Sequence, residues 1–268
     1  MRLGIIGCGS IGGELAEAAD GMTEVKRIYL VDLNGKAADA LASKLNKAVA
    51  VRSIEQELYH CDLVIEAANQ AAAREIVPKV VGRGVDIMIM SVGALVDDDY
   101  RNSVYETARN TGARILVPSG ALCGTDGLSS ASVGRIDEVL LTTTKSPDSL
   151  VGVPYLKEKG IDITKVSEPT VIYDGYAREA VKLFPKNINV AAAVSIMGVG
   201  FDRTKVKIIL DPKTRSNSHE LIVRGEFGDM ISKTNNVPSP SNPSTSHLAA
   251  LSAISALKRI IRNDWVGI

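Results

Sequence analysis

Short apolar runs and segments of helical period alternate along the first half of the chain. Leu3–Ile6, Arg27–Val31, Leu63–Ala67, Val85–Met90 and Arg114–Val117 have the length and content of buried strands. Between them, Ile11–Ala19, Lys36–Leu45, Ala71–Val81 and Tyr100–Asn110 read as helices; in the first, Ile11, Leu15, Ala18 and Ala19 share one side. Strands alternating with helices predict a parallel sheet covered on both faces. Right-handed crossovers then make it doubly wound.

The pattern changes after Pro118. Val139–Lys145 is a threonine-rich strand, Asn187–Met197 a small-residue helix, and Lys205–Leu210 a strand with one wet face. Glu220–Phe227 is expected to be the antiparallel partner of Lys205–Leu210. The stretch Asn235–Pro243 has the composition of a loop or linker. A final helix is expected from about Ser246 to Ile261, with Leu248, Leu251, Ile254, Leu257 and Ile261 in register. The expected organisation is a doubly wound α/β domain over 1–120, an α+β domain over 121–243, and a C-terminal helix over 244–268 carried back onto the first domain.

A length of 268 residues, 45% of them hydrophobic, is ample for two cores. Lys plus Arg and Asp plus Glu both total 31, which gives no electrostatic reason to expect nucleic acid or a membrane surface. No apolar run approaches the roughly 18 residues of a membrane span. Glycines interrupt the opening segment before a signal-peptide core develops. Cys8, Cys61 and Cys123 are odd in number and widely spaced, as in a reduced cytoplasm, and no Cys/His spacing suggests a metal.

Gly7-Cys8-Gly9-Ser10-Ile11-Gly12 follows a predicted strand and opens a predicted helix. In that context G-x-G-x-x-G is the Rossmann fingerprint of dinucleotide binding. Gly7 permits the turn, Gly9 lets the backbone approach a pyrophosphate, and Gly12 packs helix on strand. The N–H groups at the helix start, around Ser10 and Ile11, face the phosphates. Asp32 ends the second strand, where an acidic side chain takes the ribose hydroxyls of NAD and repels the 2′-phosphate of NADP. Nearby Lys36 leaves NADP open. Ala67 and Ala68 after the third strand, with Ser91 and Gly93 after the fourth, are expected to line the same crevice.

Hydride chemistry needs an acid/base group, and only three histidines are present. His60 reads as surface or structural, and His247 as a cap or packing residue. His219 lies in a polar stretch joining two predicted strands; position alone leaves it open between a catalytic group and an exposed hairpin histidine.

Several motifs beyond the glycine turn resemble the L-aspartate dehydrogenases: Ile65-Glu66-Ala67-Ala68, Met90-Ser91-Val92-Gly93-Ala94, Pro118-Ser119-Gly120-Ala121, Phe184-Pro185-Lys186-Asn187-Ile188-Asn189, Asn217-x-His219-Glu220 and Asn242-Pro243-x-Thr245-Ser246. The resemblance implies oxidation of L-aspartate to iminoaspartate with NAD or NADP. The imine feeds quinolinate and NAD synthesis or hydrolyses to oxaloacetate and ammonia. It places the family's active-site histidine on His219 and further dinucleotide contacts on Ala121, Asn187 and Asn189. As base, His219 would take the amine proton or activate the water that attacks the imine. Lys186, Arg215, Thr245 and Ser246 are candidates for the substrate carboxylates. The rate is expected to rise with pH as imidazole and amine lose protons. A homo-oligomer, a dimer joined through the open sheet of the second domain, is expected. The alternatives are a reductase of the dihydrodipicolinate reductase or homoserine dehydrogenase type, and a non-catalytic dinucleotide sensor.

Overall fold

The computed structural model describes residues 1–185, 188–240 and 242–263. Among the described residues the chain forms two units, 1–118 with 250–263, and 119–249.

In the first unit, β1 (Arg2–Ile6), α1 (Ser10–Asp20), β2 (Arg27–Val31), α2 (Gly35–Ala42), β3 (Ala48–Ala50), β4 (Leu63–Glu66), α3 (Gln70–Val81), β5 (Asp86–Ile89), α4 (Asp98–Thr111) and β6 (Ile115–Leu116) follow one another. The six strands pair in the order β3-β2-β1-β4-β5-β6, all parallel. β4 is buried at every position because both faces of a parallel sheet are covered. Strand order reverses at β1, so the crevice beyond the carboxyl ends of β1 and β4 is where a doubly wound sheet takes its ligand. β3 was not anticipated, since its three residues are too short to carry a period.

The second unit contains α5 (Thr125–Ala131), β7 (Ile136–Lys145), α6 (Pro154–Glu158), β8 (Thr170–Tyr176), α7 (Ala177–Leu183), α8 (Asn189–Met197), β9 (Thr204–Leu210), β10 (Asn217–Gly225), β11 (Gly228–Asn236), β12 (Pro238–Ser239) and β13 (Asn242–Ser246). Its mixed sheet runs β11-β10-β7-β9-β8. Alternate residues Val139 and Leu141, Val206 and Ile208, and Leu221 and Val223 make the buried face, and α7 and α8 pack on β9. Phe184 stacks near Tyr155 and Tyr173 at 5.2 and 5.8 Å, tying α6, β8 and α7 together.

Two sequence expectations are corrected here. Residues 220–227 do not partner 205–210: β10 lies between β7 and β11, and β9 pairs with β7 and β8. Both segments alternate, and alternation carries no information about which strand lies alongside. The expected linker contains the end of β11, all of β12 and the start of its partner β13, whose prolines and serines hid any strand pattern.

α9 (His247–Arg262) begins one residue later than expected, and its buried stripe is Ala250, Ala253, Leu257 and Ile260, while Leu251 is 46% exposed. Ala253, Leu257 and Ile260 join Leu3, Leu15, Leu30 and Ile65 in the core of the first unit. Alanines at the seam let the helix approach closely, which a search for large apolar residues passes over. No helix among the described residues is long and apolar enough to cross a membrane.

Candidate functional site

The glycine turn between β1 and α1 has the geometry its sequence requires. Gly7 sits at φ +93°, where a side chain would also meet the Ala67 carbonyl. A Cβ at Gly12 would overlap the Gly7 carbonyl, so only glycine lets α1 pack there. Gly9 differs from both. A Cβ on it would meet nothing within 4 Å, and Gly9 lines a cleft of about 740 Å³ with Gly7, Asp32, Arg52, Ala67, Ala68 and others. That open approach to a helix start fits the pyrophosphate of a dinucleotide. Ser10, Ile11 and Gly12 form the first turn of α1 behind this lining.

Two carboxylates hold the crevice loops. Asp32 accepts N–H bonds from Cys8 and Asn34, both at 2.8 Å, latching the glycine turn to the end of β2. Glu66, fully buried, accepts from the Ala68 N–H at 2.8 Å, the Ser91 N–H at 3.0 Å and the Ser91 hydroxyl at 2.9 Å. Burial pushes its carboxyl above the ordinary range, opposed by these donors. Glu66 therefore joins the loops after β4 and β5. Ser91 spends its hydroxyl on that joint, and neither Ser91 nor Gly93 is among the residues lining the cleft.

In the second unit His219 corrects its expected place. It lies inside β10 rather than in a loop, and is 4% exposed. The strand begins three residues earlier than its apolar run, because Asn217 and His219 occupy inward positions that a hydrophobic pattern does not mark. Thr143 and Thr234 flank it in register on β7 and β11. The Thr143 hydroxyl and His219 Nδ1 are 3.0 Å apart. Burial first, then the Lys145 ammonium, push the imidazole down to about 3. The ring is therefore already neutral at neutral pH. In the free protein an alkaline rise in rate therefore falls to the substrate amine rather than to this imidazole.

On the same side of β11, Thr234 Oγ1 and Asn236 Nδ2 donate to the Ala121 carbonyl at 3.0 and 2.9 Å, and Ser232 Oγ donates to that of Cys123 at 2.9 Å. The Ala121 loop is thus stitched to the strand next to His219.

The family profile described as "Aspartate dehydrogenase, C-terminal" matches residues 126–260, and "Homoserine dehydrogenase, NAD binding domain" matches residues 7–118. An L-aspartate dehydrogenase of Methanosarcina acetivorans is 45% identical over 100% of this chain and 99% of its own. This chain belongs to the L-aspartate dehydrogenase family. The family member of Nitrosopumilus maritimus is 38% identical over 98% of this chain and 97% of its own. The crystal structure of aspartate dehydrogenase from Thermotoga maritima matches with TM-score 0.73 and 27% identity, over 98% of this chain and 96% of that one. A homoserine dehydrogenase from Thiobacillus denitrificans, at TM-score 0.61 and 16% identity, shares the fold alone.

For an aspartate dehydrogenase, the remaining sequence candidates that are described fall on different elements of the second unit. Lys186 and Asn187 lie outside the described residues. Asn189 is the first residue of α8 and is half-buried. Arg215 is exposed in the turn before β10. Thr245 and Ser246 end β13 rather than opening a helix, and Ser246 is 7% exposed. His60 lies on the surface, and His247 starts α9. Sequence reasoning missed Thr143, Lys145, Thr234 and Asn236, and named Asn217 only as part of a motif. A signal for the first two existed: counting alternate positions from Val139 and Leu141 puts Thr143 and Lys145 on the inward face of β7.

Proposed function

We propose that the chain oxidises L-aspartate to iminoaspartate, which hydrolyses to oxaloacetate and ammonia, with His219 as the general base. The observation that carries the role of His219 is a buried imidazole with one nitrogen committed to Thr143. With Nδ1–H donating to Thr143 Oγ1, Nε2 presents its lone pair. Nε2 then takes a proton from the substrate ammonium, freeing the nitrogen lone pair that drives hydride loss from Cα, or from the water that attacks the imine. The negative carboxylates of the substrate raise the proton affinity of the imidazole as they bind beside it.

A nicotinamide dinucleotide suits the first unit, where Gly7, Gly9, Asp32, Ala67 and Ala68 line the cleft. When bound it accepts the hydride. Ala121 and Asn189, with Asn187, are proposed as further contacts, and Lys186, Arg215, Thr245 and Ser246 remain candidates for the substrate. NAD is the proposed preference, since the Asp32 carboxylate repels a 2′-phosphate; Arg52 on the same cleft, and the exposed Lys36, keep NADP admissible. Asp32→Ala is expected to weaken NAD binding by roughly 10- to 100-fold, the value of charged hydrogen bonds, and to shift preference toward NADP. Unchanged titrations with both nucleotides would remove Asp32 from the ribose site.

The proposed setting is the cytoplasm, with the imine feeding pyridine nucleotide synthesis. The proposed assembly is a homodimer through the outer face of the second sheet, where Ile231 is 65% exposed and Val171 50%; a monomeric mass in solution contradicts it. The reaction itself is tested by products. Purified enzyme with L-aspartate and NAD is expected to release ammonia and oxaloacetate in step with reduced nucleotide. Nucleotide binding without turnover of any amino acid would favour a sensor instead.

A further inference from the structure

Lys145 ends β7 on the inward face, two positions past Thr143. It is 4% exposed, and Asn217, the first residue of the neighbouring β10, is 3% exposed. Among the described residues neither the Lys145 ammonium nor the Asn217 side-chain amide has a hydrogen-bond partner, and no carboxylate pairs with the lysine. Every fully sealed side-chain nitrogen or oxygen among the described residues does have a partner. The tips of Lys145 and Asn217 therefore keep an opening to solvent. Burial holds the ammonium down to about 8, which leaves it mostly cationic at neutral pH.

A cation so placed is costly to the fold, and an apolar residue of the same length would pack there at less cost. The inward row of β7 is apolar at Val139 and Leu141 and becomes polar only at Thr143 and Lys145, beside His219. The Lys145 cation, the Asn217 amide on the neighbouring strand and the His219 imidazole share the inward face of β7 and β10 and form a small electropositive patch suited to an anion.

We propose that Lys145, with Asn217 beside it, anchors a carboxylate of the amino-acid substrate next to His219. This rests on the reading of the chain as an aspartate-oxidising enzyme and names the group that holds the substrate. It also relieves the smaller of the two effects that hold the imidazole down, burial being the larger. The ammonium disfavours a second positive charge on His219, and a carboxylate paired with it removes that opposition as the substrate arrives. The proton then passes from the substrate ammonium to His219 Nε2, with charge balanced by the bound carboxylate.

The test is Lys145→Met in the full-length protein, read by thermal stability, NAD binding and L-aspartate kinetics together. The expected result is a Tm equal to or above wild type, unchanged NAD affinity, and a KM for L-aspartate raised about 10- to 150-fold, the range of a charge-assisted hydrogen bond. An unchanged KM overturns the proposal, as does a KM rise accompanied by lower Tm and weaker NAD binding, which would mark a structural lysine. Succinate, titrated as a thermal stabiliser, gives a readout that needs no turnover. If wild type ignores L-aspartate but is stabilised by succinate through Lys145, the anion anchor stands and the aspartate reading fails. If neither compound binds wild type, both fall.

Discussion

His219→Ala is expected to bind NAD with wild-type affinity and to lose about 100- to 10,000-fold in aspartate oxidation, the usual cost of removing one general acid/base. The affinity should hold because the glycine turn and Asp32 belong to the first unit and His219 to the second. The rate should fall because no other described histidine shares its setting: His60 is exposed, and His247 starts a helix. Alanine at either of those positions should cost little. A second readout separates the imidazole from its bulk. His219 is held at about 3 in the folded chain against 6.5 for a free imidazole side chain, so the unfolded chain takes up the proton first. Stability is therefore full above about 6.5 and declines as pH falls from there toward 3. His219→Ala should lose that part of the acid slope. Near-wild-type turnover in this variant would move the base elsewhere, and a dead His247→Ala would move it to the start of α9.

Valine at two glycines of one turn should fail in two different ways. Gly12→Val places Cβ into the Gly7 carbonyl, backbone that cannot give way, and should reduce folding yield and Tm sharply. A Cβ at Gly9 meets nothing within 4 Å in the folded protein, so the Tm of Gly9→Val should stay near wild type. The valine would instead occupy the approach to the N–H groups of α1. Loss of NAD affinity is expected at roughly 10- to 100-fold for each charged hydrogen bond displaced. Calorimetry and nucleotide titration on both variants check this. A Gly9→Val protein that binds NAD normally would mean the pyrophosphate does not cross this turn.

The first unit was legible because its signals are local. Buried parallel strands read as apolar runs, and the glycines at 7, 9 and 12 each answer to a separate steric demand. Less was legible in the second unit. Its sheet interleaves strands distant in sequence, with β7 between β9 and β10, and alternation alone does not assign partners. The candidate site shows the same division. His219 was reached through a motif, but its burial was hidden because Asn217, His219, Thr143 and Lys145 are polar residues on an inward face. A pattern search reads Asn217 and His219 as loop, and leaves the inward direction of Thr143 and Lys145 unmarked. Likewise Glu66 was noticed as part of a motif, while its task of joining the loops after β4 and β5 appears only when Ser91 is brought to its carboxylate.

The most direct measurement of the central claim is the initial rate of NAD reduction by the purified chain across a panel of L-amino acids and 2-hydroxy acids at alkaline pH. A rate with L-aspartate well above that with L-glutamate, L-asparagine, L-homoserine and L-malate is the predicted result. Equal or faster reduction with L-homoserine or L-malate, or none with L-aspartate, would contradict it.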